Sequence, residues 1–119
     1  MDNKQLADSF CESCRNNSLY VEPEKVKYLV QVLNQNWRIV SDSDIDRLLC
    51  EFNFENYKQA LFFTQALGEL AQQFQHHPVI ITEYDKVTVL WWTHEMDGLH
   101  YNDFVMAAKT NILYFKNRS

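Results

Sequence analysis

Residues 76–94 read HHPVIITEYDKVTVLWWTH, and the interpretation of this stretch decides the architecture of the chain. Pro78 cannot continue a helix, so whatever helical segment precedes it must end there. Val79 to Tyr84 and Lys86 to Thr93 are rich in β-branched and aromatic residues, with Asp85 between them. That pattern predicts two strands joined by a tight turn. In the second strand Val87, Val89 and Trp91 face one way, and Thr88, Leu90 and Trp92 the other. Both faces are largely apolar, which places this strand at the centre of a sheet or at a subunit contact.

Upstream, Glu55 to Gln75 is the longest helical pattern. Tyr57, Ala60, Leu61, Thr64, Leu67, Ala71 and Phe74 form one stripe, widened by Phe62, Phe63, Ala66 and Leu70. A stripe broader than ~100° predicts a helix that covers its own sheet and also meets a second subunit. Gly68 inside it suggests a close helix approach, because glycine there costs about 1 kcal/mol relative to alanine. Before this helix, Trp37 and Ile39 begin a short strand. Ser41-Asp42-Ser43-Asp44 is a turn, and Ile45 to Phe54 returns with imperfect alternation. Pro23 suits the first turn of a helix, and Val26, Leu29, Val30 and Leu33 carry that helix to about Gln35. Downstream, Gly98 breaks the chain and Tyr101 to about Tyr114 forms the last helix. His100 occupies its entry, where serine or threonine caps better, and is expected at the surface. The order α-β-β-α-β-β-α predicts an α+β fold: a four-stranded antiparallel sheet with helices packed on one face.

At 119 residues the chain is one domain. Residues 22–119 are expected to form it, behind a polar, flexible arm of residues 1–21. The apolar fraction of 46% is too high for a disordered chain. The formal charge of −5 provides no global attraction to nucleic acid or to anionic lipid. No run approaches the ~20 apolar residues of a membrane helix, and the polar start contains no signal-like segment. A soluble, cytoplasmic protein is expected. Cys11 and Cys14 form a lone C-x-x-C with no matching second pair, and with Cys50 the cysteine count is odd. Neither a zinc site nor a disulfide framework is therefore expected.

Chemistry concentrates between residues 76 and 103. His76, His77 and His94, with Tyr84 and Asp103, bring together imidazoles, a phenol and a carboxylate. Histidine titrates near neutrality and can donate or accept a proton at physiological pH. Asp103 lies in the first turn of the last helix, where a carboxylate either orients a histidine or simply suits the helix dipole. Trp91 and Trp92 are expected in the core or at an interface. His76, His94 and Asp103 could also serve as metal ligands in a hydrolase, although their spacing matches no H-E-x-x-H pattern.

The pattern Gln72-x-x-x-His76-His77-Pro78, followed by Tyr84, His94 and Asp103 at these gaps, resembles the pterin-4a-carbinolamine dehydratases. The similarity runs from about Pro23 to Asn111 and includes Trp37-Arg38-Ile39 and Phe52-Asn53-Phe54-Glu55-Asn56-Tyr57. The segments Lys86 to His94 and Gly98-Leu99-His100-Tyr101-Asn102-Asp103-Phe104 are similar to the bacterial branch.

The resemblance implies dehydration of a 4a-hydroxytetrahydropterin to the quinonoid dihydropterin, in functional coupling to an aromatic amino-acid hydroxylase. It implies His76 and His94 as proton-transfer groups and His77 as a positioning one, these three being the catalytic set. It implies Gln72, Tyr84, Thr93, Glu95 and Asp103 as substrate-binding residues. No metal or organic cofactor is implied, pterin being the substrate. Homodimers or homotetramers built through sheet edges and the long helix are implied as well. Animal relatives also act as dimerisation partners of a homeodomain transcription factor, so an interaction or coactivator module is the alternative reading.

One position departs from the family, which usually has an acidic residue where this chain has Gln72. At i, i+4 near a helix end, Gln72 is expected on the same face as His76. It can hydrogen-bond but cannot act as a base. Glu69, one turn earlier, is a candidate to compensate.

Overall fold

The pairing of one strand organises the molecule. In the computed structural model, which describes residues 1–9, 21–34, 36–94 and 98–116, β4 (Lys86–Trp91) lies between β2 (Ile45–Asn53) and β3 (Val79–Thr82). β1 (Arg38–Asp42) completes an antiparallel sheet of order β1-β2-β4-β3. Leu48, Cys50 and Phe52 stand opposite Trp91, Val89 and Val87. Opposed residues share a face, so these six side chains form the inner surface, and all are buried. The central position expected for the second strand is thus what the structure shows. Burial alternates along β2 more cleanly than its sequence suggests.

The β1–β2 hairpin turns through Ser43 and Asp44, both at positive φ (53° and 65°). This is the geometry that matches the natural twist of paired strands.

Helices cover the inner face: α2 (Pro23–Leu33), α3 (Tyr57–Phe74) and α4 (Tyr101–Lys116). α3 and α4 pack on the sheet, and α2 packs on α4. Pro23 sits in the first turn of α2, as expected, and Asn56 caps α3 by accepting the Gln59 N–H at 2.9 Å. α4 is the most enclosed element, with Phe104 to Ala108 buried without interruption. Phe52, Phe54, Phe63 and Tyr114 interlock between sheet and helices, with ring centroids 4.7–5.9 Å apart. The Cys50 thiol lies in this layer, and burial pushes its pKa up to about 12.

The polar start of the chain departs from expectation. Asn3–Ala7 forms a short helix, α1, closed by a reciprocal pair of bonds between Asp2 and Gln5. Leu6 and Ala7 are buried, and α1 packs on α4. Five residues give too short a window for helical periodicity to show, and the expected arm is in part a core element. Cys11 and Cys14 lie outside the described residues. Gly68 also departs, since a Cβ built there meets nothing within 4 Å. Among the described residues, no close helix approach occurs at that position.

A second buried structure lies along α4. Asn111 accepts the Trp37 indole N–H at 2.8 Å and donates to the Leu33 carbonyl at 2.6 Å and to Asn3 Oδ1 at 2.9 Å. One amide therefore joins α1, the end of α2, the approach to β1 and α4.

Candidate active site

The end of α3 sets the first histidine. Gln75 adopts a left-handed conformation (φ 51°). Its N–H reaches the Gln72 carbonyl, and the His76 N–H reaches that of Ala71. This doubly bonded reversal is the Schellman termination, in which orphan carbonyls are satisfied as the chain turns away. The turn directs His76 inward, where it is 5% exposed and its ring stacks on Trp91 at 5.6 Å.

His76 meets Asp103 there, with Nε2 and Oδ1 2.6 Å apart. Asp103 is fully buried at the start of α4. Its second oxygen, Oδ2, accepts the Thr93 hydroxyl and the His100 backbone N–H, each at 2.8 Å. A carboxylate so enclosed accepts from an N–H, which places the proton of the neutral His76 ring on Nε2.

The other two histidines are exposed at the same end of the β3–β4 hairpin. His77 leads into β3, and its Nε2 lies 3.1 Å from Gln72 Oε1. His94 follows β4 and lies against Trp92, with ring centroids 4.5 Å apart. The Arg47 guanidinium stands 4.4 Å from the centre of the Trp92 ring and pairs with Asp42 at 3.1 Å. Trp92 thus contacts both Arg47 and His94. Trp92 belongs to the outer face of the sheet, whereas Trp91, under His76, belongs to the inner one.

Several expectations about individual residues change. Gln72 contacts His77 rather than sharing a face with His76, because the helix ends at Phe74 and the left-handed Gln75 breaks the i, i+4 relation. Thr93 and Asp103, expected to touch substrate, are 1% and 0% exposed and are bound to each other. Their polar atoms face the protein: Asp103 bonds His76, and Thr93 bonds Asp103. Tyr84 is 73% exposed and sits in the hairpin turn at the far end of β3. At a strand rise of ~3.3 Å per residue it is roughly 20 Å from His77, so the fold of the chain does not bring it to that histidine. Glu95 lies outside the described residues.

His100, expected at the surface, is fully buried. The missed signal was its place three residues before Asp103, the spacing of a reciprocal helix cap. Nothing local in the sequence pairs Arg47 with Trp92. Among the described residues, no three His, Cys, Asp or Glu side chains are grouped to hold a metal ion.

Fold and site together define a class: an α+β scaffold carrying a histidine–carboxylate cluster at one end of an antiparallel sheet. Comparison with known proteins makes the class specific. The family model described as pterin 4 alpha carbinolamine dehydratase matches residues 20–113, and the chain belongs to that family. A relative in Nitrosococcus oceani, provisionally named a pterin-4-alpha-carbinolamine dehydratase, is 42% identical over 110 residues, covering 92% of this chain and 96% of its own. A relative in Chlorobium luteolum with the same provisional name has the same identity and coverage.

Among solved structures, a transcriptional coactivator/pterin dehydratase from Brucella melitensis superposes with a TM-score of 0.70 at 22% identity, covering 78% of this chain and 96% of its own. A pterin dehydratase-like protein identified as a RuBisCO assembly factor in the alpha-carboxysome gives 0.58, also at 22% identity, covering 69% and 93%. Those two likenesses concern the fold.

Proposed function

We propose that this protein dehydrates a 4a-hydroxytetrahydropterin to the quinonoid dihydropterin. The observation that carries this reading is the buried His76–Asp103 pair at the end of the sheet in a member of the carbinolamine dehydratase family. The C4a–O bond breaks, a proton from a general acid turns the departing hydroxide into water, and the N5 proton passes to a base. A positioned acid or base contributes about 10²–10⁴-fold, and histidine near neutrality can serve in either role.

His76, held at Nε2 by Asp103, is one proton-transfer group. His94, exposed and braced by Trp92, is the second proton-transfer group. His77 and Gln72 together position the substrate. No metal and no organic cofactor takes part in this scheme, and the reaction regenerates the pterin of an aromatic amino-acid hydroxylase.

The test couples the purified protein to phenylalanine hydroxylase and follows formation of the quinonoid dihydropterin. Acceleration over the spontaneous rate, lost in His76→Gln and His94→Gln, is the expected result. A rate equal to the spontaneous one would refute the reading.

The chain self-associates in this proposal. Tyr57, Leu61 and Phe62 on α3 are 51%, 46% and 64% exposed, and Val79 and Ile81 of the edge strand β3 are also open. Exposed apolar groups of this size mark interaction sites, and closed symmetric association is the usual solution. Sedimentation at a dimer mass or above is expected, and a 14.2 kDa monomer at micromolar concentration would count against it.

The same surface supports the second reading, an interaction module without catalysis. The coactivator and assembly-factor roles named for the two solved structures make it a concrete alternative. It gains if the coupled assay is negative while the oligomer forms.

A further inference from the structure

The geometry points to His100 as a positioning residue for His76, acting through the cap of α4 and through Asp103. This inference rests on the proposed catalytic reading only for the meaning of its activity arm.

A helix leaves its first N–H groups without intrahelical acceptors, and serine, threonine, aspartate or asparagine ordinarily supplies one. Here an imidazole does so: the Asn102 N–H donates to His100 Nδ1 at 3.1 Å. In return Asp103, three residues on, accepts the His100 backbone N–H on Oδ2 at 2.8 Å. The Asp103 N–H closes the turn on the His100 carbonyl at 2.9 Å. This is a variant of the reciprocal cap: the carboxylate of the third helical residue takes the entry N–H, while the entry side chain takes the N–H of the second helical residue and not the third. Histidine stands in the serine or threonine place and aspartate in the glutamate or glutamine place.

Asp103 belongs to two constellations at once. Oδ2 is fixed by the cap and by Thr93, which leaves Oδ1 aimed at His76. The rotamer that closes the helix end is therefore also the rotamer that selects the His76 tautomer. A ring nitrogen accepts a hydrogen bond only when it carries no proton, so His100 is held with its proton on Nε2. The two buried imidazoles share one tautomer, and Asp103 links them.

Two consequences separate capping from mere filling of the core. His100→Asn restores a side-chain acceptor at the cap while losing ring volume, whereas His100→Phe keeps the volume and removes the acceptor. In histidine-labelled protein, long-range ¹H–¹⁵N correlation spectra read each ring's tautomer directly and need no turnover. Wild type and His100→Asn are expected to show His76 protonated on Nε2. His100→Phe is expected to show a mixture of tautomers, with kcat reduced about tenfold or more and KM little changed.

A His100→Phe protein with wild-type His76 signals would overturn the inference, as would a His100→Asn protein that loses them. If either variant fails to fold, the unmodified protein decides alone. Its His100 ring must show Nε2–H with Nδ1 unprotonated, and an Nδ1–H tautomer refutes the cap. If the protein proves to have no dehydratase activity, the spectra still settle the role of His100.

Discussion

Two buried polar constellations hang from α4, one at its first turn around Asp103 and one two turns further on around Asn111. Each hub side chain is enclosed and makes three hydrogen bonds, those of Asn111 spanning 74 to 108 positions and those of Asp103 only 3 to 27. The Asn111 amide joins neutral groups, among them an indole N–H, a main-chain carbonyl and a second amide, and it fastens elements together. The Asp103 carboxylate joins a hydroxyl, a helix cap and an imidazole. Burial and satisfied hydrogen bonds thus do not by themselves mark a functional site. The difference lies in whether the network includes a group that can exchange a proton, as the His76 imidazole can and the Asn111 amide cannot.

The strongest way to break this distinction is to exchange the hub chemistry. Asp103→Asn keeps an acceptor for His76 but turns an amide N–H₂ toward two donors or forfeits the His76 bond. Dehydratase turnover should fall on the order of 10²-fold or more, with the protein still folded. Comparing kcat with the near-ultraviolet circular dichroism of the same sample checks this.

Asn111→Ala should do the reverse. It strands the Trp37 indole N–H and the Leu33 carbonyl, and buried unsatisfied groups cost about 1–3 kcal/mol each. A loss of about 3 kcal/mol in urea denaturation is expected, with kcat per folded molecule unchanged.

Cys50 sharpens the comparison as a buried titratable group outside both hubs. Its thiol pKa is raised from 9.0 to about 12 by burial. The unfolded chain therefore loses this proton first. The associated stability is complete below pH 9 and is lost as pH rises toward 12. Cys50→Val should remove that alkaline slope while leaving turnover intact, as measured by denaturation curves across this window.

The smallest effect is expected at Gln72, which touches the exposed His77 and neither hub. A carboxylate there makes charge-assisted bonds, roughly twice as strong as neutral ones. Gln72→Glu should lower KM several-fold and change kcat by less than about tenfold. A hundredfold rise in kcat at constant KM would show instead that the missing charge was a base.

Much of the scaffold was legible because each strand announces its environment. The two apolar faces of 87–92 put β4 in the middle, and Pro78 fixed where α3 must already have ended. The family pattern located the histidines and Asp103. What stayed illegible was set by long-range or unsignalled geometry. Gln75 takes a left-handed conformation without being glycine or asparagine, so the reversal that gives Gln72 to His77 left no mark. Residues 76, 93, 100 and 103 meet only when a hairpin, a loop and a helix start are assembled, so Thr93 and Asp103 resembled ligand contacts. α1 is too short for its periodicity to be read.

The placement of the three tryptophans gives this protein a built-in optical readout. Trp91 lies under His76, Trp92 lies beside His94, and Trp37 is bonded to Asn111. An imidazolium draws an electron from an excited indole far more readily than a neutral imidazole does, so charging either histidine dims its own neighbour. Trp37, with an uncharged amide for a partner, emits steadily through the same change. Single-tryptophan variants would therefore separate the signals, and proton movements in the candidate site could be followed by eye of a fluorimeter, without substrate and without a label.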